Sequence, residues 1–67
     1  MKLLPHQERV IVERDELRVR LDKLSAFVET QYFAGLSVAE QVRLTRQVKA
    51  MRVYHECLCE RIDAFTH

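Results

Sequence analysis

The sequence predicts an all-α fold, an antiparallel two-helix hairpin that assembles as a homodimer with a four-helix arrangement, or as a higher oligomer. Three observations support it. Apolar residues recur every seven positions, and one Pro and one Gly are the only helix breakers. The sequence also has more apolar residues than the single internal face of one hairpin can bury. The 67 residues allow a single domain, predicted over 1–67. A chain this short buries only about 60% of its unfolded surface, so the fold alone is marginal.

The first helix is predicted over residues 5–33. Pro5 suits a first helical turn, where its missing N–H would have no partner anyway. No breaker follows until Gly35, which we expect in the left-handed conformation that ends many helices. The apolar residues of this helix form two adjoining rows: Leu3, Val10, Leu17 and Leu24, with Leu21 and Val28.

The second helix is predicted over residues 37–65. Ser37 and Glu40 have the spacing of a capping box, with Ser37 as N-cap and Glu40 reaching back to its amide. The apolar rows repeat here as Leu44, Met51, Leu58 and Phe65, with Val48 and Ile62. The two sets of rows predict the seam of an antiparallel helix pair.

Other apolar residues lie outside this seam, and they motivate the prediction of a dimer. A two-helix hairpin has one internal face, so these side chains would contact water in a monomer, whereas a second hairpin would cover them. Scattered surface hydrophobes, which are normal on any protein, are the alternative. The residues are Ile11, Phe27, Tyr32, Phe33, Val42, Val53 and Cys57.

Composition excludes several classes of protein. With 48% hydrophobic and 31% charged residues, the chain is too apolar for disorder and too charged for a membrane span. The net charge of +1 does not favour nucleic acid. A basic run at spacing three wraps around the second helix and is a weak nucleic-acid signal: Arg43, Arg46, Lys49 and Arg52. The longest apolar runs are far too short for a transmembrane helix and the N-terminus has no apolar h-region of a signal peptide, so a cytosolic location is the default expectation.

No set of residues predicts catalysis, a metal site or a cofactor. Cys57 and Cys59 point apart on a helix, which disfavours a disulfide, and reduced thiols fit a reducing compartment. His55 and Cys59 share a face, yet two ligands make an incomplete metal site. Neither a Gly-rich phosphate loop nor a nucleophile with a positioned base is recognisable. We expect no enzyme, no metal and no cofactor.

A polar cluster is expected at the open end of the hairpin. A turn near residue 34 places Val10 opposite Leu58 and Leu17 opposite Met51. Arg offers a planar fork for phosphate, Tyr offers a stacking face, and His and Gln add directional hydrogen bonds. The alternative is that these residues only form surface ion pairs and fill space. The candidate ligand-binding residues are His6, Gln7, Arg14, Tyr54, His55 and Arg61.

The chain resembles a widespread family of small helical proteins of tailed phages and prophages, mostly of unknown function. The resemblance starts at Leu4-Pro5-His6-Gln7, Arg9-Val10, Glu13 and Leu17, continues through Leu24, Phe27, Phe33, Leu36 and Glu40, and closes with Gln47, Met51, Tyr54, Leu58, Arg61-Ile62 and Phe65. Compact phage proteins of this kind include anti-CBASS sponges, which sequester cyclic nucleotide alarm signals of bacterial immunity.

Together, the resemblance and the polar cluster imply a counter-defence protein that binds a cyclic dinucleotide without cleaving it. Under this interpretation, Arg14 and Arg61 bind phosphates, Tyr54 stacks on a base, and the remaining candidates contact base edges or ribose. Two alternatives stay open: an adaptor or inhibitor that docks one helix face on a host protein, and a weak nucleic-acid binder that uses the basic run. The expected location is the host bacterial cytosol.

Overall fold

The chain folds into two long helices that pack against each other and a short helix that precedes the reversal. The computed structural model describes residues 2–66, and within that part every regular element is helical: α1 spans Pro5–Phe27, α2 Gln31–Ala34 and α3 Val38–Thr66. The contacts between elements are dominated by α1 against α3. The molecule is a rod of 49 × 15 × 15 Å. The all-α hairpin is therefore confirmed at the level of one chain.

The core lies along the predicted seam. Every residue of the predicted apolar rows is buried or half-buried. The fully buried ones are Val10, Leu17, Leu21, Val48, Leu58 and Ile62. Leu58, with 1% of its surface exposed, is packed in a cluster with Val10, Leu17 and Ile62, and Met51 borders that cluster. Heptad spacing thus identified the internal face correctly.

The first predicted helix is interrupted, so its predicted span of 5–33 is wrong in one respect. α1 ends at Phe27, and the chain turns before α2 begins at Gln31. Thr30 explains the break: its hydroxyl donates to the Phe27 carbonyl at 2.7 Å and accepts from the Phe33 amide at 3.3 Å. A Thr that binds both flanking turns ends one helix and caps the next.

The reversal occurs at residues 35–37, without the left-handed glycine that the sequence suggested. Gly35 has φ −82° and ψ −7°, a right-handed conformation, and its amide donates to carbonyls of α2. Gln41 holds the turn from the other side, since its Nε2 donates to the carbonyls of Ala34 at 3.2 Å and Leu36 at 2.9 Å. Side-chain hydrogen bonds to backbone carbonyls replace the expected glycine cap.

The N-terminus of α3 keeps half of the predicted capping box. The Ser37 hydroxyl accepts from the Glu40 amide at 3.2 Å, as expected of an N-cap. The Glu40 carboxylate does not complete the box, because it accepts instead from Nε of Arg43 at 2.8 Å. α3 then runs for 29 residues, one residue later at each end than predicted.

The apolar residues outside the seam divide into two groups. Ile11 is half-buried against the core cluster, and Phe27 and Phe33 are half-buried in an edge-to-face pair with centroids 6.3 Å apart. The single chain thus partly buries three apolar side chains, those of Ile11, Phe27 and Phe33, that were expected to need a second hairpin to cover them. Tyr32, Val42, Val53 and Cys57 remain exposed, as expected. None of the helices described here is long and apolar enough to cross a membrane.

Candidate ligand groove between the long helices

An open groove of about 600 Å³ follows one side of the α1–α3 pair. Its floor is apolar: Leu17, Leu24, Phe27 and Met51. From Leu17 to Phe27 the groove extends about 15 Å along α1, at 1.5 Å per residue. We call it groove A, and its remaining lining residues are Arg20, Lys23, Gln47 and Tyr54.

The charge of groove A is entirely positive. Arg20 and Lys23 are exposed on α1, and no Asp or Glu lines the groove. In the part of the chain that the structure describes, the ion pairs are Arg14–Asp15, Arg18–Asp22 and Arg43–Glu40, and they use neither groove cation. Two cations above an apolar floor suit a ligand that is both anionic and partly apolar.

The α3 side of groove A adds an aromatic ring and an amide. Tyr54 is 43% exposed, so much of its side chain is accessible to a ligand. Gln47 lies two turns earlier, and its Nε2 is 3.9 Å from Sδ of Met51, a contact that orients the amide over the floor. Tyr and Gln are suited to stacking and to directional hydrogen bonding, respectively.

The opposite side of the helix pair carries a smaller groove with mixed charges, which we call groove B. It has a volume of about 370 Å³. Its acidic and basic residues partly neutralise each other, since Nε of Arg18 donates to both oxygens of Asp22 at 3.0 and 3.2 Å. The lining residues are Arg18, Leu21, Asp22, Ser25, Arg52, His55 and Glu56. This balance of charge makes groove B a weaker candidate for an anionic ligand.

The six predicted ligand-binding residues are not brought together. Tyr54 lines groove A and His55 lines groove B. His6 is exposed in the first turn of α1, and the Gln7 side chain accepts from the Leu4 amide at 2.9 Å. Arg14 donates from Nε to Asp15 at 3.0 Å and lines neither groove, and Arg61 is exposed near the end of α3. Their joint role in binding stays a prediction.

Two physical reasons explain this dispersal. Tyr54 and His55 are consecutive on a helix, so their side chains point about 100° apart. The reversal at residues 35–37 also lies later than the expected turn at 34, which moves each α3 residue about one helical turn along α1. Tyr54 consequently shares a groove with Leu17 and Arg20 in the middle of the rod.

The candidate residues predicted from the sequence did not include Arg20, Lys23 or Gln47, although Gln47 is one of the residues that carry the family resemblance. A signal for the first two was present, because residues 17, 20, 24 and 27 have the spacing of one helix stripe. Arg20 belongs to that stripe and Lys23 lies beside it, but charged residues next to a seam are also the usual pattern of a solvated helix pair.

His55 and Cys59 do lie on one face of α3, with Sγ 3.8 Å from Nδ1. Within residues 2–66, however, no three His, Cys, Asp or Glu side chains converge as metal ligands would.

Comparison with known proteins matches almost the whole chain to one family. A family model described as Sequestin matches residues 4–64. A relative from Enterobacteria phage T4, described as an uncharacterized 7.5 kDa protein in the denB-rIIB intergenic region, is 40% identical over 63 residues, covering 94% of this chain and 98% of the relative. The predicted resemblance to small phage proteins is thereby confirmed. No solved structure matches the chain.

Proposed function

Because the chain belongs to the Sequestin family, we propose that it is a phage counter-defence protein that sequesters a cyclic dinucleotide without cleaving it. The family name denotes sequestration, which requires binding and no chemical step. A sponge blunts the host defence by holding the signal molecule in a stoichiometric complex, so tight binding and abundance replace turnover. The protein would act in the host bacterial cytosol, where such signals are made, and as a homo-oligomer.

The observation that carries the proposal is the composition of groove A. Its cations Arg20 and Lys23 would pair with phosphates, while Tyr54 would stack on a base and Gln47 would bond to a base edge. The apolar floor would cover the remaining face of the bases. The absence of an Asp or Glu side chain from the lining matters, because a carboxylate in the groove would repel each phosphate.

Isothermal titration calorimetry with a panel of cyclic dinucleotides tests the proposal. We expect heat of binding for at least one of them, and we expect the nucleotide recovered after denaturing the protein to have its original mass. Tyr54→Ala should weaken binding about tenfold or more, since stacking contributes about 1–3 kcal/mol per base.

Two arginines distinguish groove A from the open-end cluster. Arg20→Ala removes a groove cation, Arg61→Ala removes a cation near the end of α3, and both side chains are exposed, so neither change should unfold the chain. A charge-assisted phosphate contact contributes about 1.5–3 kcal/mol. If groove A binds, only Arg20→Ala loses about tenfold or more in affinity. The matched control is Arg9→Ala, another exposed arginine of α1 outside both grooves.

Loss of binding in Arg61→Ala but not in Arg20→Ala would indicate that the ligand binds at the open end of the hairpin and not in groove A. An absence of heat and of thermal shift across the whole panel would refute the proposal. The adaptor interpretation would then remain, in which an exposed helix face docks on a host protein.

A further inference from the structure

The outer face of α3 carries a strip of exposed residues that repeats with alternating steps of four and three. This spacing places the residues on one side of a helix, as in the seam of a coiled coil. All seven are exposed, whereas the residues that α3 buries against α1, such as Val48 and Ile62, lie on its other side. We call this the α3 strip: Val42, Arg46, Lys49, Val53, Glu56, Glu60 and Asp63.

Charge is segregated along the α3 strip. Arg46 and Lys49 make the half nearer the turn positive, and Glu56 and Glu60, followed by Asp63, make the other half negative. Val53, 59% exposed, separates the halves. Within the part of the chain described, the three ion pairs Arg14–Asp15, Arg18–Asp22 and Arg43–Glu40 involve none of the strip. The strip is therefore self-complementary when reversed.

We propose that the α3 strip is the interface at which a second copy of this chain binds, with the two α3 helices antiparallel and Val53 near the two-fold axis. In that arrangement Arg46 of one copy lies opposite the partner's Glu60, and Lys49 lies close to the partner's Glu56. The symmetry repeats both contacts, as in any isologous interface. From Val42 to Asp63 the paired helices would run about 32 Å, at 1.5 Å per residue. This inference deepens the self-association proposed above, because it names the surface.

Charge complementarity favours a second copy over other occupants. A nucleic acid would be attracted by Arg46 and Lys49 but repelled by Glu56 and Glu60 on the same face. The outer face of α1 is another candidate for the basic half, because it carries Asp15 and Glu16. The antiparallel α3 pair matches both halves of the strip at once.

Charge-reversed variants test this surface in the absence of nucleotide. Arg46→Glu with Lys49→Glu makes the whole strip acidic, and Glu56→Lys with Glu60→Lys makes most of it basic. By sedimentation equilibrium, each double variant alone should self-associate at least about tenfold more weakly than the natural chain, because like charges now face each other. An equimolar mixture of the two should restore the dimer, because an acidic strip then meets a basic one. Circular dichroism should report unchanged helicity for both, since all four side chains are exposed.

The other outcomes overturn the proposal in distinguishable ways. If both variants associate as strongly as the natural chain, the copies meet through another surface and self-association survives. If only Arg46→Glu with Lys49→Glu dissociates and mixing restores nothing, the basic half docks on a different acidic face. If the natural chain is a monomer, self-association itself is wrong. Groove A is untouched by these changes, so nucleotide binding is judged separately.

A cysteine at the axis gives a second measurement. In a background with Cys57→Ser and Cys59→Ala, Val53→Cys should form a disulfide-linked dimer under mild oxidation, because two residues near a two-fold axis approach each other closely enough for an S–S bond. The matched control is Val19→Cys, since Val19 is 53% exposed on the outer face of α1. Equal crosslinking of the two variants would contradict an interface centred on Val53.

Discussion

Truncation of Leu58 measures how far this small fold depends on its seam. Leu58 is 1% exposed and is packed in a cluster with Val10, Leu17 and Ile62. Leu→Ala at such a site removes buried methyl groups and leaves a cavity, which costs about 2.7–5 kcal/mol. Native stability is about 0.05–0.15 kcal/mol per residue, or roughly 3–10 kcal/mol for a chain of this length. Leu58→Ala should therefore remove much of the free energy of unfolding.

The assay is thermal unfolding followed by circular dichroism at 222 nm, at several protein concentrations because an oligomer's Tm depends on concentration. For a domain of this size each 1 kcal/mol shifts Tm by about 4–8 °C, so a loss of 3 kcal/mol predicts a drop of about 12–24 °C. Leu4→Ala is the matched control, since it removes the same atoms from a residue that is 55% exposed. If the two variants lose the same stability, the seam does not hold the fold together and the packing argument is refuted.

Three further substitutions test the turn and the cap. Gly35→Ala should stabilise the chain by about 0.4–1 kcal/mol, because the φ of Gly35 is negative and the new Cβ would lie at ordinary contact distances, 3.6 and 3.7 Å, from the carbonyl oxygens of Tyr32 and Gln31. A clear loss of stability in urea unfolding would indicate that Gly35 is left-handed. Ser37→Ala should cost about 1 kcal/mol in the same assay, since the Glu40 amide loses its acceptor, and no change would mean that the cap is dispensable. Gln41→Ala removes both hydrogen bonds across the turn, so amide hydrogen exchange at residues 34–37 should accelerate while exchange in the core near Leu58 stays slow.

The sequence predicted the long-range pairing of the helices well because that pairing depends on periodicity. Seven-residue spacing is a property of many residues together, so one irregular position does not obscure it. The break at Thr30 escaped notice because it depends on one hydroxyl that bonds in two directions. Thr is tolerated inside helices, and nothing in the neighbouring residues marks this one as a cap. Gly35 was misjudged for a similar reason, since glycine permits the left-handed conformation without requiring it.

The candidate site was harder to predict because it depends on how α3 is aligned along α1 and on which side of each helix lines groove A. Tyr54 was identified as a candidate, but a reversal placed slightly too early assigned it neighbours about one turn away. Arg20 and Lys23 become candidates for ligand binding only because they line the same groove as Tyr54 and Gln47 of the opposite helix. Composition describes which residues are present, and only the three-dimensional arrangement shows that groove A contains cations without carboxylates.

The positions of groove A and the α3 strip make ligand capture and self-association compatible in one molecule. Groove A lies between the helices, lined from α3 by Gln47, Met51 and Tyr54. The strip lies on the outer side of α3, and although its Glu56 also lines groove B, none of its residues lines groove A, so a partner bound there would leave groove A open. Each copy would then carry its own groove, and a dimer would hold two ligands at separate sites. Calorimetry on the charge-reversed variants checks this independence: binding per chain should match that of the natural protein although dimerisation is weakened. A parallel loss of binding would instead mean that residues of both copies form the site.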